Sequence, residues 1–402
     1  MAFYTLMLRD IPVISFDMTD GKIQLIMDLY NIDRLPFSLQ KELSVEKLQN
    51  WYFHRLIPKS RENYRVMNRY FKKQGSNLLS MAEYNYALSL SDQYWIKPED
   101  EENLEWSKIN FFSNPFSYDA GNVSFSYGEL KNDNPIFVSP DFATNGVAVK
   151  AWRIKDDKRF LIKAGQNDKR QEPVNEVAIS LYLQQMKFPY LVPAKYSLSK
   201  IYGNICCVSE NFLNEHTELV TAYDICHYRE RADGDTLYSH MISVCNELEI
   251  PNAKKFLDSM FLFDSIISNT DRHLGNFGFL RDTETLRFIG PAPLYDNGSS
   301  LWADEVLING GPGIRDEVAK PFSKIHSDQI HDLSYFKMIK QFDVKLFNDI
   351  YKEVAKKNLE KEQINYILSK IEYRYEKTIE ESEKTIKQRK VMEREKEEEL
   401  ER

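Results

Sequence analysis

The sequence predicts an α+β chain of two lobes, the first rich in strands and the second helical, flanked by an N-terminal accessory region and a charged helical tail. Three observations carry this prediction. At 402 residues, with 42% hydrophobic and 13% aromatic residues, the chain exceeds one ordinary core and has apolar surface for two. Short apolar runs separated by turn residues crowd into residues 131–212, the pattern of strands. Beyond residue 213 the pattern turns helical, and the apolar stretch Ala253–Ser268 leads into a polar cluster, Asn269-Thr270-Asp271-Arg272-His273-Leu274-Gly275-Asn276. The expected divisions are an accessory region over 1–130, a first lobe over 131–212, a second over 213–358 and a tail over 359–402.

Composition narrows the function classes. The formal net charge of −8 is spread along the chain, which argues against direct nucleic-acid binding, and no basic recognition helix is recognisable. Cys206, Cys207, Cys226 and Cys245 form no Cys-x-x-Cys pair, so reduced thiols in a cytoplasmic protein are expected and a zinc site or disulfide framework is not. The N-terminal stretch lacks the pattern of a signal peptide, and no run approaches 18 uncharged apolar residues, so no membrane segment is expected.

Taken in order, Ile11–Met18 and Lys22–Leu29 read as a strand pair joined by the tight turn Asp20-Gly21, with Pro12 suggesting an edge position. Val45 to about Lys73 is helical with a break at Pro58. Residues 87–121 carry Tyr94, Trp95, Trp106, Phe111, Phe112, Phe116 and Tyr118. They read as an irregular strap on a core. A stacking platform for bases would want Lys and Arg beside it, and Glu99–Glu102 flank it instead. In the first lobe, Ile136–Val138, Val147–Trp152, Arg159–Lys163 and Ile205–Val208 are strands, and Gln171–Met186 is a helix with Pro173 in its first turn. Residues 213–250 look mostly helical. Ala303–Phe322, which contains Asn309–Gly313, reads as a mobile loop or a plain surface loop, and Ile371–Arg402, dense in Glu, Lys and Arg, reads as a solvated helix fraying beyond Ile386, with a coiled-coil or partner helix as the alternative.

The chemistry concentrates in the polar cluster and in Leu294-Tyr295-Asp296-Asn297-Gly298, which follows a hairpin-like insert. Phosphoryl transfer needs a carboxylate near the acceptor hydroxyl and oxygen ligands for Mg²⁺. Asp271 is a candidate for the first, and Asn276 and Asp296 for the second. Turn formers at a helix end would give a similar composition. Lys163 ends an apolar strand, where a solvated lysine and a phosphate-binding one are equally expected, and Glu176, 13 residues on, either holds it or lies on a solvated helix face. Thr144, Asn145 and Gly146 lie in a loop with one glycine, suited either to backbone contacts with phosphate or to a plain hairpin.

The order Lys163, Glu176, a strand into Glu210 and Phe212, Asp271-x-His273-x-x-Asn276 and Tyr295-Asp296-Asn297-Gly298 resembles the HipA-like serine/threonine kinases, toxin kinases of bacterial toxin–antitoxin systems. The resemblance covers roughly residues 136–330, and the phosphatidylinositol kinases share a similar Asp-Arg-His-x-x-Asn loop. It implies a two-lobed protein-kinase-like fold, ATP and Mg²⁺ as cofactors, a protein substrate and a small helix-turn-helix antitoxin as partner. It assigns Asp271 to the acceptor hydroxyl, His273 to loop support close to the chemistry, and Asn276 and Asp296 to Mg²⁺. Lys163, held by Glu176, would bind phosphate, while Glu210 and Phe212 fall where the nucleotide-contacting hinge lies. Ser139 or Thr144 is then a candidate for phosphorylation. The wording of the aromatic strap also looks like the N-terminal extension of a Gram-positive and mobile-element subset. The glycine-poor loop, that extension and the tail depart from the best-known toxin kinases. Two rivals remain: a lipid or small-molecule kinase, for which Lys320 and Lys324 offer a thin basic surface, and an inactive kinase-fold scaffold.

Overall fold

A computed structural model describes residues 2–73, 75, 78, 80–128, 136, 138–166, 170–303 and 318–400. The expected strand Ile136–Val138 includes a position outside the described residues, and residues 304–317 of the expected loop Ala303–Phe322 lie outside them. The chain opens with β1 (Ala2–Leu8), β2 (Ile11–Thr19) and β3 (Lys22–Leu29). Positive φ at both Asp20 and Gly21 makes the tight turn that joins the last two. With β4 (Tyr94–Pro98) they form an antiparallel sheet in the order β3-β2-β1-β4. Pro12 therefore lies on an inner strand, not at an edge. Its missing N–H is tolerated because the β1–β2 register shifts between Leu6 and Met7, beside its partner. Between β3 and β4 come α1 (Val45–Phe53), capped by Ser44, α2 (Tyr64–Lys73) and α3 (Ser80–Tyr84). Leu48, Trp51 and Tyr52 of α1 bury against Leu6, Val13 and Phe16 of the sheet.

The aromatic strap contains α4 (Trp106–Ile109) and leads into α5 (Asp119–Phe125). The first lobe's own sheet consists of β5 (Lys150–Lys155), β6 (Lys158–Ala164), β7 (Tyr196–Ile201) and β8 (Asn204–Glu210), antiparallel in the order β5-β6-β8-β7. Side chains alternate across a sheet, so the pair Trp152–Leu161 shows one face and the pair Ala151–Ile162 the other. Trp95, Trp106 and Phe111 of the strap cover the first face, and Phe125 of α5 covers the second. The strap thus has its core, and the accessory region grips the sheet from both sides. The strand expected from Val147 begins at Lys150, because the Val147 carbonyl is taken by Glu62 N. α6 (Gln171–Met186) matches its expected span and is buried along most of its length.

The second lobe is less helical at its start than expected. β9 (Thr217–Thr221) precedes α7 (Ala222–Cys226) and α8 (Leu237–Glu247), and pairs with β10 (Gly278–Asp282), which pairs with β11 (Phe288–Pro291). β10 and β11 form the hairpin expected between the two polar motifs. α9 (Ala253–Ile267) was expected to be amphipathic, yet every residue from Phe256 onward is buried. Each large apolar side chain there contributes roughly 1.5–3 kcal/mol. α10 (His326–His331), α11 (Val344–Ala355) and α12 (Lys361–Leu400) complete the lobe. The expectation of a solvated helix from Ile371 needs correction. Ile371, Arg374, Thr378, Ser382 and Thr385 are buried. Arg374 donates to the Ser265 carbonyl at 3.0 Å, and the Thr378 and Ser265 hydroxyls meet at 2.9 Å. The seam is polar, and an apolar count does not see it.

Candidate functional site

α9 stops at Ser268, whose left-handed backbone turns the chain out of the helix while its N–H caps the Asp264 carbonyl. Asn269 then ties back to Asp264 with Nδ2 and accepts the Asp271 N–H at 3.1 Å. Arg272 is fully buried beneath this loop. It grips both Asp264 oxygens at 2.9 and 3.0 Å, and donates to the carbonyls of Asn276 and Tyr295 at 3.1 and 2.7 Å and to Asn297 Oδ1. Burial works against its charge, but the Asp264 carboxylate outweighs it and raises the pKa. One guanidinium thus fixes the Asp271 loop, the Asp296 turn and α9 together. Asn276 spends Nδ2 on the Asp271 carbonyl at 2.9 Å, which leaves Oδ1 as the amide atom open to a ligand.

Asp296 has positive φ and bonds Lys163 Nζ through Oδ1. Glu176 bonds the same ammonium at 3.0 Å, and its second oxygen accepts the Asn297 N–H at 2.8 Å. α6 is fastened to the turn by Asn175, whose Nδ2 donates to the carbonyls of Gly298 and Ser300 at 2.9 and 2.6 Å. Strand β6, helix α6 and the Asp296 turn therefore converge on Lys163. Burial opposes the charges of Lys163 and Asp296, but each sustains the other. Lys163 is held well above the ordinary lysine range by Asp296 and Glu176, and Asp296 well below the usual carboxylate range by Lys163, with Lys150 and Arg272 adding to the fall of Asp296.

Lys150 is a member that sequence reasoning missed. It faces Lys163 across the β5–β6 ladder and donates to the Asn145 carbonyl at 2.7 Å. Burial lowers its pKa to about 7, with Asp296 opposing and Lys163 and Arg61 adding to the fall. The only signal was a lysine inside an expected strand, and its meaning depends on a register that the sequence does not state. Through Lys150, the loop Thr144-Asn145-Gly146 adjoins the Lys163–Asp296 pair. Gly146 has φ +102°, and a Cβ there would collide with Lys150 Nζ. Thr144 Oγ1 donates to the Pro140 carbonyl at 2.8 Å and accepts from Trp152 Nε1 at 2.9 Å. Ser139 is buried, capping the turn Pro140–Ala143.

The remaining predicted residues are placed less centrally. Asp271 Oδ1 pairs with Lys320 Nζ at 2.8 Å, so Lys320, one of the two lysines of the thin basic surface a lipid kinase would need, is engaged at the loop. The His273 ring is exposed and accepts the Gly275 N–H at 3.0 Å, so it steadies a local turn while Arg272 supplies the buried support. Glu210 lies at the end of β8 with its carboxylate on Lys158 at 3.0 Å, outside the Lys163 cluster. Phe212 stacks on Tyr295, centroids 5.9 Å apart, and Tyr295 Oη donates to the Gly275 carbonyl at 3.2 Å. Through Tyr295, Phe212 is linked to the loop that carries Asn276.

All four cysteines are free and buried, and no helix among the described residues is long and apolar enough to cross a membrane. No protein-family model matches the chain, and no curated protein matches it. The chain is similar to two solved structures. The Helicobacter pylori proinflammatory kinase CtkA aligns with a TM-score of 0.48 at 17% identity, over 59% of this chain and 94% of that one. HipA of Shewanella oneidensis MR-1, from the toxin–antitoxin complex of HipA, HipB and operator DNA, aligns with a TM-score of 0.58 at 11% identity, over 94% of this chain and 99% of that one. Over nearly its whole length, then, this chain has the two-lobed, kinase-like α+β fold of HipA.

Proposed function

We propose that the chain is an ATP- and Mg²⁺-dependent phosphotransferase acting on serine or threonine hydroxyls of a protein. The observation that carries this reading is the convergence on Lys163 of Glu176 and Asp296, with Arg272 linking that turn to the loop bearing Asp271 and Asn276. In this reading Lys163 neutralises phosphate charge and Glu176 keeps it aimed. Asp271 accepts the proton of the acceptor hydroxyl once Lys320 yields to the substrate. The Thr144–Gly146 loop receives phosphate oxygens, with Lys150 beside it. Glu210 and Phe212 mark the edge where the base would lie.

Asn276 Oδ1 and the Asp296 carboxylate are hard oxygen donors that fit Mg²⁺, which takes few protein ligands. Bound Mg²⁺ would supply charge neutralisation at the transferring phosphate. The chain's own part is positioning: Arg272 and Asp264 fix where the carboxylates stand, and rate follows from that preorganisation.

Lys320 is spent on Asp271, which weakens the case for a basic lipid-facing surface. The HipA structure contains HipB and operator DNA, and this supports an antitoxin partner here as part of the proposal. The net negative charge bears only on direct contact with DNA and leaves such an assembly open to a co-purification test. The deciding experiment is intact mass after incubation with Mg·ATP, for wild type, Asp271→Asn and Lys163→Ala, with cell lysate as acceptor pool. Phosphate gain by wild type alone, in itself or in a lysate protein, supports the reading. ATP binding without transfer turns it toward a scaffold or a non-protein acceptor, and no ATP binding refutes it.

A further inference from the structure

The accessory region reaches the candidate phosphate loop mainly through one side chain. Arg61, in the turn before α2, is 4% exposed. It donates from Nε to the Gly146 carbonyl at 2.7 Å and from Nη2 to the Thr144 carbonyl. The backbone N–H of Glu62 donates to the Val147 carbonyl at 2.8 Å. Lys150 takes the carbonyl between them, that of Asn145. Each carbonyl from Thr144 to Val147 is therefore held by a donor, and only the one on Lys150 is held from within the first lobe. Among the described residues, no backbone N–H of Asn145, Gly146, Val147 or Ala148 reaches an acceptor.

A run of unspent N–H groups next to two lysines is chemistry that receives an anion. Carbonyls left free in the same loop would repel that anion, so directing them elsewhere is part of building the site. Two carbonyls two residues apart need donors at a fixed spacing, which a planar guanidinium provides and a flexible ammonium does not. Burial draws the Arg61 pKa down to about 10, and Asp141 opposes that fall. An apolar side chain would fill the same space without the desolvation cost of a buried cation. What arginine adds is direction to the loop.

We propose that Arg61 is a positioning residue for nucleotide phosphates, so that the accessory region and the first lobe build one anion site between them. Arg61 holds the Thr144 and Gly146 carbonyls away from the ligand and keeps the loop's N–H edge available beside Lys150 and Lys163. The inference rests on the kinase reading above.

Calorimetric titration of the full chain with Mg·ATP and with adenosine, for wild type, Arg61→Gln and Arg61→Lys, tests it alongside thermal melts. Removing a charged donor pair from the loop should weaken ATP binding by about tenfold or more, with adenosine binding unchanged. Arg61→Lys should recover only part of the loss, since one ammonium cannot hold both carbonyls. Wild-type ATP affinity in either folded variant overturns the proposal. So does equal loss of ATP and adenosine, which marks a general structural role. Should Arg61→Gln not fold, Arg61→Lys alone decides by the same criterion. Failure of the wild type itself to bind ATP refutes the kinase reading, and the proposal falls with it.

Discussion

Arg272 holds more of the site than any residue whose side chain would meet substrate. It lies among the residue types expected for phosphoryl transfer, yet nothing in Asp-Arg-His-x-x-Asn says that the middle arginine turns inward while His273 turns out. The reason is its partner: Asp264 sits one helical turn before the end of α9, buried, and needs a cation. Removing that partner leaves a buried guanidinium uncompensated. Asp264→Asn should therefore cost about 3–5 kcal/mol of stability. It should also abolish the proposed phosphoryl transfer, although Asp264 lies outside the proposed reacting groups. A melting curve and a transfer assay on the same preparation check both. Wild-type transfer in a folded Asp264→Asn protein would show that the loop holds its shape without the pair.

At the scale of elements, α12 makes the sharpest test. Its first six turns lay Ile364, Ile367, Ile371, Arg374 and Thr378 along neighbouring helices, and Arg374 and Thr378 bond Ser265 on α9. Ending the chain after residue 387 should leave the melting temperature almost unchanged. Ending it after residue 372 should expose α9 and yield an aggregating or unfolded protein. Comparable melting curves for both truncations would refute this account. The case also shows what the sequence made legible. α6, α9 and the β10–β11 hairpin follow from apolar spacing and turn residues, and Lys163, Glu176 and Asp296 from their order along the chain. The inner position of Pro12, the burial of Thr378 and the role of Lys150 depend on a bulge, a polar seam and a strand register. These belong to the pairing of distant segments, and local pattern does not encode them.

The whole molecule carries a pH response set by buried groups on different elements. His326 on α10 is buried with both ring nitrogens unpartnered, and burial with Arg374 nearby lowers its pKa from 6.5 to about 3. The folded state holds the neutral ring, while the unfolded chain takes up a proton below pH 6.5. His326 thus contributes stability that is complete above pH 6.5 and is lost as pH falls toward 3. Between pH 7 and 5 the loss is about 2 kcal/mol. Asp141 acts in the opposite sense, because burial raises its pKa to about 6 and protonation relieves the folded state as pH falls. Comparing the pH 7-to-5 change in melting temperature of wild type and His326→Asn isolates the histidine. The variant should lose less, and equal changes would exclude this source.

The partnership of α9 with α12 also sets an order of events during synthesis. Ser265 and Arg374 are 109 residues apart in the chain. On a ribosome, the segment bearing Asp271 and Asn276 emerges well before the helix that backs it. A nascent chain would display the residues proposed for transfer without their scaffold, and the proposed activity would arrive only when translation passes α12. The chain truncated after residue 372 is that interval held still.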